Sequence, residues 1–378
     1  MLVLALAAVC PALMRALPQS ADGLAGRRYE GWSGVLRLWT FEGWQPGSGS
    51  LSPWLNRCIT SFERAHPGVY IQLKPVSAQN LKDFADPALR TPDLILFPPG
   101  LIEDASALLP LDSPDLLPSL ACAGLHGGET RALPVAMGGY GWARSNALLD
   151  FWPDDFTAIE PILSEKSRKN APAALILPPD GDFLCHSGAL IALLGRNNAV
   201  PPPMTQRESA PFSAFINGRA AVTPMTQREL RRLMQLEESG RAPDYAFDAE
   251  SVCFTDQLAL LALPDTHFSD SQARQALAAA FAAHLLTPES QQLLHSVRAF
   301  PVILLELPLY EGVGGYQEME RALRSDDLRV PPAFVNSWRN SAKSLAEQML
   351  SGQISVSSAF LQFKALFPQP AAPRPTEN

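Results

Sequence analysis

The sequence predicts an α/β protein of two lobes, joined by a multi-strand hinge and enclosing a ligand cleft between them. Residues 34–97 alternate strand and helix patterns in the order that builds a parallel sheet covered by helices. A second α/β region follows the glycine pair at 138–139. The length of 378 residues is sufficient for two domains, each with its own hydrophobic core.

The first lobe is predicted from a strand–helix–strand–helix–strand order. Residues 34–40 alternate as a strand, and residues 53–65 place apolar side chains on one helical face. A second strand at 69–73, a short helix at 81–84 and a buried strand at 92–97 complete the order. Because parallel sheets bind ligands at the carboxyl ends of their strands, we expect a crevice after the first and third strands.

The segment 131–152 predicts the connection between the lobes. An apolar run at 133–137 leads into Gly138 and Gly139, whose backbones can absorb the dihedral changes that closure requires. Ser145 is predicted to cap a helix that begins the second lobe, because apolar residues follow it at helical spacing.

The second lobe is predicted from strands at 173–177 and 220–223, a turn at 178–182 and a charged helix at 226–238. These patterns predict the first two crossings, and the remaining boundaries are expectations that complete a two-lobed arrangement. Lobe 1 is expected at 28–135 plus 265–305, lobe 2 at 143–255 plus 315–367, and hinge crossings at 136–142, 256–264 and 306–314.

Both ends of the chain are predicted to lie outside the lobes. Residues 1–27 combine an apolar stretch typical of a secretion signal with a small, polar linker, which indicates an exported protein. Cys10 ends a run that weakly resembles a lipoprotein cleavage box, so lipidation, simple cleavage and a short anchor all remain open. Residues 368–378 are rich in proline and are predicted to be disordered.

Composition argues against several functional classes. The chain carries 38 acidic and 30 basic residues, a formal net charge of −8, so we do not expect nucleic acid as a partner. Nucleophile, metalloprotease and phosphate-loop motifs do not occur, and the six histidines are scattered. We therefore expect no enzyme, no cofactor and no metal. Apart from Cys10, the cysteines form no CxxC pair; they are expected to be buried apolar residues, with one disulfide as the alternative: Cys58, Cys122, Cys185 and Cys253.

Aromatic residues at strand ends and crossings are the strongest signal for a ligand site. Aromatic rings stack on sugar faces at low entropic cost, although most aromatic residues fill cores. The candidates are Trp39, Trp44, Phe97, Tyr140, Trp142 and Trp338.

Six segments in order resemble the solute-binding proteins of ABC importers, of the oligosaccharide-binding kind that includes maltose-binding protein. They are VLRLWTFEGW, SFERAHPGVYIQL, PDLILF with LLPLD, LPVAMGGYGWARSNALL, FINGRAAVTPM, and AAFAAHLLTPESQQLL with AFPV. The resemblance covers nearly the whole chain after the export segment and implies a periplasmic-binding-protein-like fold.

The resemblance also implies a set of ligand contacts. By position they are Glu42, Phe97, Tyr140, Asp182 with Phe183, Arg228 and Trp338. One departure concerns the residues after the strand at 220–223, where sugar-binding relatives carry glycine and an aromatic residue. Met225, Thr226, Gln227 and Arg228 stand there instead, and an arginine would suit a carboxylate or phosphate.

The resemblance implies a monomeric receptor that binds a carbohydrate-like solute and delivers it to a membrane permease. Two alternatives use the same fold: a lipoprotein that signals to a membrane kinase, and a binder of an anionic solute that is not a sugar. An enzyme acting in the cleft is a third reading, which turnover of a bound ligand would reveal.

Overall fold

A computed structural model of the chain describes residues 32–86, 91–112, 114–166, 172–177, 180–201, 206–207, 210–265 and 271–367. The predicted export segment, including Cys10, and the predicted tail at 368–378 lie outside these residues. Within them, no helix is both long enough and apolar enough to cross a membrane.

Strands and helices alternate along most of the chain. The strands are β1 (Gly34–Thr40), β2 (Val69–Pro75), β3 (Leu94–Phe97), β4 (Leu125–His126), β5 (Glu129–Thr130), β6 (Leu133–Met137), β7 (Tyr140–Ser145), β8 (Ala173–Leu177), β9 (Gln206–Arg207), β10 (Ala220–Thr226), β11 (Tyr245–Asp248) and β12 (Leu258–Ala262). The α-helices are α1 (Ser52–Ala65), α2 (Ala78–Lys82), α3 (Phe156–Lys166), α4 (Asp180–Asn197), α5 (Pro211–Ile216), α6 (Gln227–Glu238), α7 (Ser271–Leu285), α8 (Pro288–Gln292), α9 (Gly314–Leu323), α10 (Ser337–Leu350) and α11 (Val356–Ala365), with 3₁₀ turns at Pro118–Leu120 and Leu293–Val297.

Two five-stranded sheets form the two lobes. The first has the strand order β2-β1-β3-β12-β6, in which β1 pairs in parallel with β2 and β3. The second has the order β11-β7-β10-β8-β9, in which β7 runs antiparallel to both of its neighbours. The two-lobed α/β fold predicted from the sequence is therefore confirmed.

Each lobe packs helices against its sheet around its own apolar core. In the first lobe, α1 buries one face that includes Trp54 and Phe62, and the Trp54 indole donates to the Ser290 carbonyl at 2.8 Å. In the second lobe, α4, α10 and α11 pack together over the sheet. Cys58 and Cys253 are buried, and Cys58 and Cys122 are free thiols, whereas the side chain of Cys185 lies outside the described part of the chain.

Strand β7 differs from the sequence prediction. Ser145 does not cap a helix, because it is the last residue of β7, where it pairs with Tyr245. All six residues of β7 are buried, since the strand lies between β10 and β11. The spacing of apolar residues after Ser145 favoured a helix, but strand pairing on both edges of β7 determines the structure of this segment.

The sheet pairing locates the first two crossings. The first crossing is Gly138 and Gly139, because β6 belongs to the first sheet and β7 to the second. Strand β12, expected within the second crossing, pairs with β3 and β6, so the chain crosses before it, at 255–257. The third crossing expected at 306–314 stays a prediction. Tyr310 within it packs on the first core, and the helix that follows, α9, contacts β11 and α6 of the second lobe.

A buried ion pair fastens α7 to the first sheet. Arg274 donates to both carboxylate oxygens of Asp93, at 2.7 and 2.8 Å, and the backbone N–H of Arg37 donates to Asp93 at 2.7 Å. The side chains of Arg274 and Asp93 are 12% and 3% exposed. Breaking a buried pair leaves an uncompensated charge, so this contact connects the third strand to a helix distant in sequence.

Replacing Asp93 with alanine is expected to lower the free energy of unfolding by about 3–5 kcal/mol, because the Arg274 charge loses the carboxylate that compensates it. Urea unfolding measures the change. The matched control is Glu250→Ala, which removes an ion pair with Arg321 whose side chains are 53% and 63% exposed. We expect that control to cost less than about 1 kcal/mol. Equal losses in the two variants would contradict the structural role of Asp93.

Candidate ligand-binding cleft

A cavity of about 480 Å³ lies between the two lobes. This volume falls within the usual range of small-molecule sites. Both lobes and the second crossing line it, through Gly43, Trp44, Gln45, Pro98, Tyr140, Ala210, Pro211, Phe212, Ser213, Pro224, Thr226, Arg228, Glu229, Arg232, Asp256, Gln257 and Arg339.

The first lobe contributes the loops that follow β1 and β3. Trp44 and Gln45 lie in the loop after β1, and Pro98 directly follows β3. The two loops touch closely, since a Cβ added to Gly43 would lie 2.4 Å from the Pro98 ring. Both loops leave the carboxyl ends of parallel strands, where open α/β sheets bind ligands.

Tyr140 and Asp256 form a polar pair where the crossings meet the second lobe. The Tyr140 hydroxyl donates to Asp256 Oδ1 at 2.6 Å, and both side chains are buried. Gln257 lines the cavity next to Asp256. This wall therefore combines an aromatic ring with a carboxylate and an amide, groups that recognise hydroxyls.

Helix α6 points its N-terminus at the cavity. Thr226 caps the helix by accepting from the Arg228 N–H, and Glu229 accepts from the Thr226 backbone N–H at 3.0 Å. This capping box occupies the Glu229 carboxylate and fixes the first turn. Arg228 and Arg232 are four residues apart, so they project from the same helical face, and both line the cavity.

Three hydrogen bonds connect the lobes across the cleft. Gln227 Nε2 donates to the Gln45 carbonyl at 2.7 Å, and the Arg228 guanidinium donates to the Gln45 side-chain carbonyl. At another edge, Arg339 donates to the Pro99 carbonyl at 2.9 Å. The lobes are thus in direct contact on both sides of the cavity.

The crossing segments bind one another through a polar network. The Gly138 N–H donates to the Gln257 carbonyl at 2.7 Å, and the Thr255 hydroxyl donates to the Gly138 carbonyl at 2.7 Å. Gln227 Oε1 accepts from the Gly139 N–H at 3.0 Å. A Cβ at Gly138 would lie within 2.5–2.8 Å of the Gln227 and Gln257 amides, so only glycine fits there without a shift.

Three of the ligand contacts predicted from the sequence line the cavity, namely Trp44, Tyr140 and Arg228. Asp182 and Phe183 fall in the first turn of α4 rather than in a turn before a helix. Their side chains lie outside the described part of the chain.

The remaining predicted contacts do not line the cavity. Trp39, Phe97 and Trp338 are 3%, 1% and 3% exposed, because each packs into the core of its lobe. Trp142 is fully buried in the second core. Glu42 instead accepts from the Ser50 hydroxyl and the Leu51 N–H, both at 3.0 Å, beside the start of α1.

The cavity residues whose polar or aromatic groups the sequence patterns did not single out include Phe212, Arg232, Asp256 and Arg339. For Arg232 a signal existed, since its spacing from Arg228 places both on one face of a predicted helix. The other three come from separate segments that only the tertiary fold brings together. Among the described residues, no group of three or more His, Cys, Asp or Glu side chains could hold a metal ion.

The two sheets, the crossings and the cleft between the lobes define a periplasmic-binding-protein-like fold. Solved structures of this kind resemble the chain over most of its length. One is the GacH receptor of Streptomyces glaucescens, determined unliganded and with acarbose, which is 16% identical with a TM-score of 0.58. That comparison covers 88% of this chain and 97% of the receptor.

Two further solved structures have a similar fold. The sugar-binding protein MalE of Xanthomonas citri is 16% identical with a TM-score of 0.56, over 88% of this chain and 96% of its own. The maltose-maltodextrin binding protein of Alicyclobacillus acidocaldarius is 13% identical with a TM-score of 0.55, over 88% and 99%. No protein-family model and no curated protein matches the sequence. At these identities the similarity establishes the fold, as the sequence resemblance implied.

Burial raises the pKa of the Glu42 carboxyl above its ordinary value of 4.5, although hydrogen bonds from Ser50, Leu51 and Ser52 oppose the shift. The folded protein therefore holds this proton more tightly than the unfolded chain. Stability from protonated Glu42 is present at low pH and is lost as the pH rises through the folded pKa.

Glu42→Gln cannot ionise, so it is expected to gain stability relative to the wild type as the pH rises from the ordinary carboxyl value of 4.5 through the raised folded pKa. The measurement is urea unfolding of both proteins at several pH values. The raised pKa would be contradicted if the unfolding free energy of the variant minus that of the wild type stays constant or falls with rising pH.

Proposed function

We propose that this protein is the extracytoplasmic solute-binding receptor of an ABC importer, which binds a carbohydrate-like molecule between its lobes and delivers it to a membrane permease. The observation that carries the proposal is the composition of the interlobe cleft. Three aromatic residues from different segments line it beside hydrogen-bonding side chains, namely Trp44, Tyr140 and Phe212.

Aromatic rings and polar side chains together suit a sugar. The C–H faces of a sugar ring are apolar and can pack on Trp44 or Phe212. Its hydroxyls both donate and accept hydrogen bonds, which Asp256 and Gln257 can complement. The proteins of similar fold include receptors determined with acarbose and with maltotriose, which supports a carbohydrate as the ligand class.

Closure of the two lobes around the ligand is the step that relates binding to transport. Gln45 in the first lobe contacts Gln227 and Arg228 in the second, so both lobes enclose the cavity. A ligand that contacts both lobes stabilises the closed arrangement over an open one. In the proposed function the permease receives this closed form, and the ligand is released without bond chemistry.

The proposal places the protein on the outer face of the cytoplasmic membrane or in the periplasm, as a monomer. The apolar segment at the start of the chain would direct export, with Cys10 as the residue for a lipid anchor. Detection of acylated Cys10 by mass spectrometry of the mature protein would test the anchor separately from ligand binding.

A thermal-shift screen against neutral and acidic sugars tests binding. A ligand at 100 times its Kd is expected to stabilise the wild type by about 2.7 kcal/mol. Trp44→Ala is expected to weaken binding roughly tenfold, because a stacking surface in the cleft is lost.

The matched control is Tyr70→Ala, since Tyr70 is an aromatic residue of the same lobe that is 60% exposed and does not line the cleft. We expect this variant to bind like the wild type. The proposal is wrong if no carbohydrate stabilises the protein, or if Trp44→Ala binds as tightly as the control.

A further inference from the structure

Three arginines line one cleft. Arg228 and Arg232 lie on α6, and Arg339 lies in the first turn of α10. The chain as a whole has a net charge of −8, so this positively charged cluster has the opposite sign to the net charge of the chain. Arginine presents a planar fork of donors that matches a carboxylate or phosphate.

Within the described residues, none of the three arginines pairs with a carboxylate. Arg228 donates to the Gln45 side chain, and Arg339 donates to the Pro99 carbonyl and, at 3.5 Å, to Asn336. The Arg232 guanidinium lies 4.3 Å from the centre of the Phe212 ring. Each guanidinium has more donors than these contacts use.

The two carboxylates in the same wall are already engaged. Glu229 accepts from the backbone N–H and the hydroxyl of Thr226 in the capping box. Asp256 accepts from the Tyr140 hydroxyl at 2.6 Å. These hydrogen bonds do not remove the charge of a carboxylate, so the described cavity lining carries three guanidiniums against two carboxylates, an excess of positive charge.

The direction of α6 adds to this charge. The helix has 12 residues and begins at Gln227, so its N-terminal dipole end faces the cavity beside Arg228. The positive end of a helix favours an anion, as does each guanidinium. Charge and dipole therefore act on the same part of the cavity.

We infer that the ligand is an acidic carbohydrate whose carboxylate or phosphate binds between Arg228 and Arg232, with its sugar ring against the aromatic residues of the cleft. This inference rests on the proposed function and narrows its ligand class. Arg339 approaches the same ligand from α10. The sugar moiety and the acidic group are recognised by different residues, so the two requirements can be tested separately.

Isothermal titration of the full chain tests the inference with maltotriose as a neutral probe, digalacturonate as a carboxylate, glucose 6-phosphate as a phosphate ester, and inorganic phosphate. We expect one of the two acidic sugars to bind at least about tenfold more tightly than maltotriose, and its affinity to fall with added salt. Arg228→Gln and Arg232→Gln are each expected to weaken that binding about tenfold or more.

Arg231→Gln is the matched control, because it removes the same charge from the same helix at a residue that pairs with Glu238 at 3.3 Å and does not line the cavity. We expect it to bind the acidic sugar like the wild type. Circular dichroism and the melting temperature of each variant verify that it is folded.

The outcomes separate the two proposals. Equal or tighter binding of maltotriose, unaffected by Arg228→Gln, overturns the acidic ligand and leaves the sugar receptor standing. Binding of inorganic phosphate alone, lost in Arg228→Gln, overturns the sugar receptor and the acidic sugar but retains an anion site. Binding of no anionic probe, or equal losses in Arg228→Gln and Arg231→Gln, overturns the inference.

Discussion

One buried side chain, Gln227, connects the parts of this structure that must act together. Its amide accepts from the Gly139 N–H of the first crossing and donates to the Gln45 carbonyl of the first lobe. Its backbone carbonyl accepts from the Tyr316 hydroxyl at 2.6 Å. A buried amide needs hydrogen-bond partners for all its polar groups. Gln227 therefore fixes the first crossing, the loop after β1 and the start of α6 relative to one another. The cleft lies directly beside this junction.

The same junction explains why glycine occupies the first crossing. The amides of Gln227 and Gln257 approach Gly138 so closely that a side chain there would displace one of them. At Gly139, a Cβ would lie 2.8 Å from Met319 on α9. The glycine pair therefore serves close packing, in addition to the dihedral freedom that the sequence analysis expects of it. The sequence indicated only the second role, since packing partners from distant segments cannot be inferred from the pair itself.

The sequence predicted the fold much better than the site. Local patterns suffice for β3, whose apolar run is buried, and for α6, whose cap and charge pattern are both local. The ligand residues depend on which way each side chain points after folding. Trp39 and Phe97 stand at strand ends as expected, yet both are buried in the core, and Trp44 and Pro98 a few residues further reach the cavity. Asp256 and Arg339 come from segments without any site pattern.

The contacts across the cleft also bear on how readily the lobes separate. Opening would break the bonds from Gln227 and Arg228 to Gln45, and from Arg339 to Pro99. Water can replace each of them, so the net free energy per bond is only about 1 kcal/mol. A few such bonds give only a small free-energy difference between the closed and the open arrangement. A ligand that contacts both lobes can therefore change the balance between the two arrangements. Arg228 is central here, because the guanidinium that reaches the first lobe also lines the cavity. An anionic ligand between Arg228 and Arg232 would therefore act on closure directly, through the side chain that already joins the lobes.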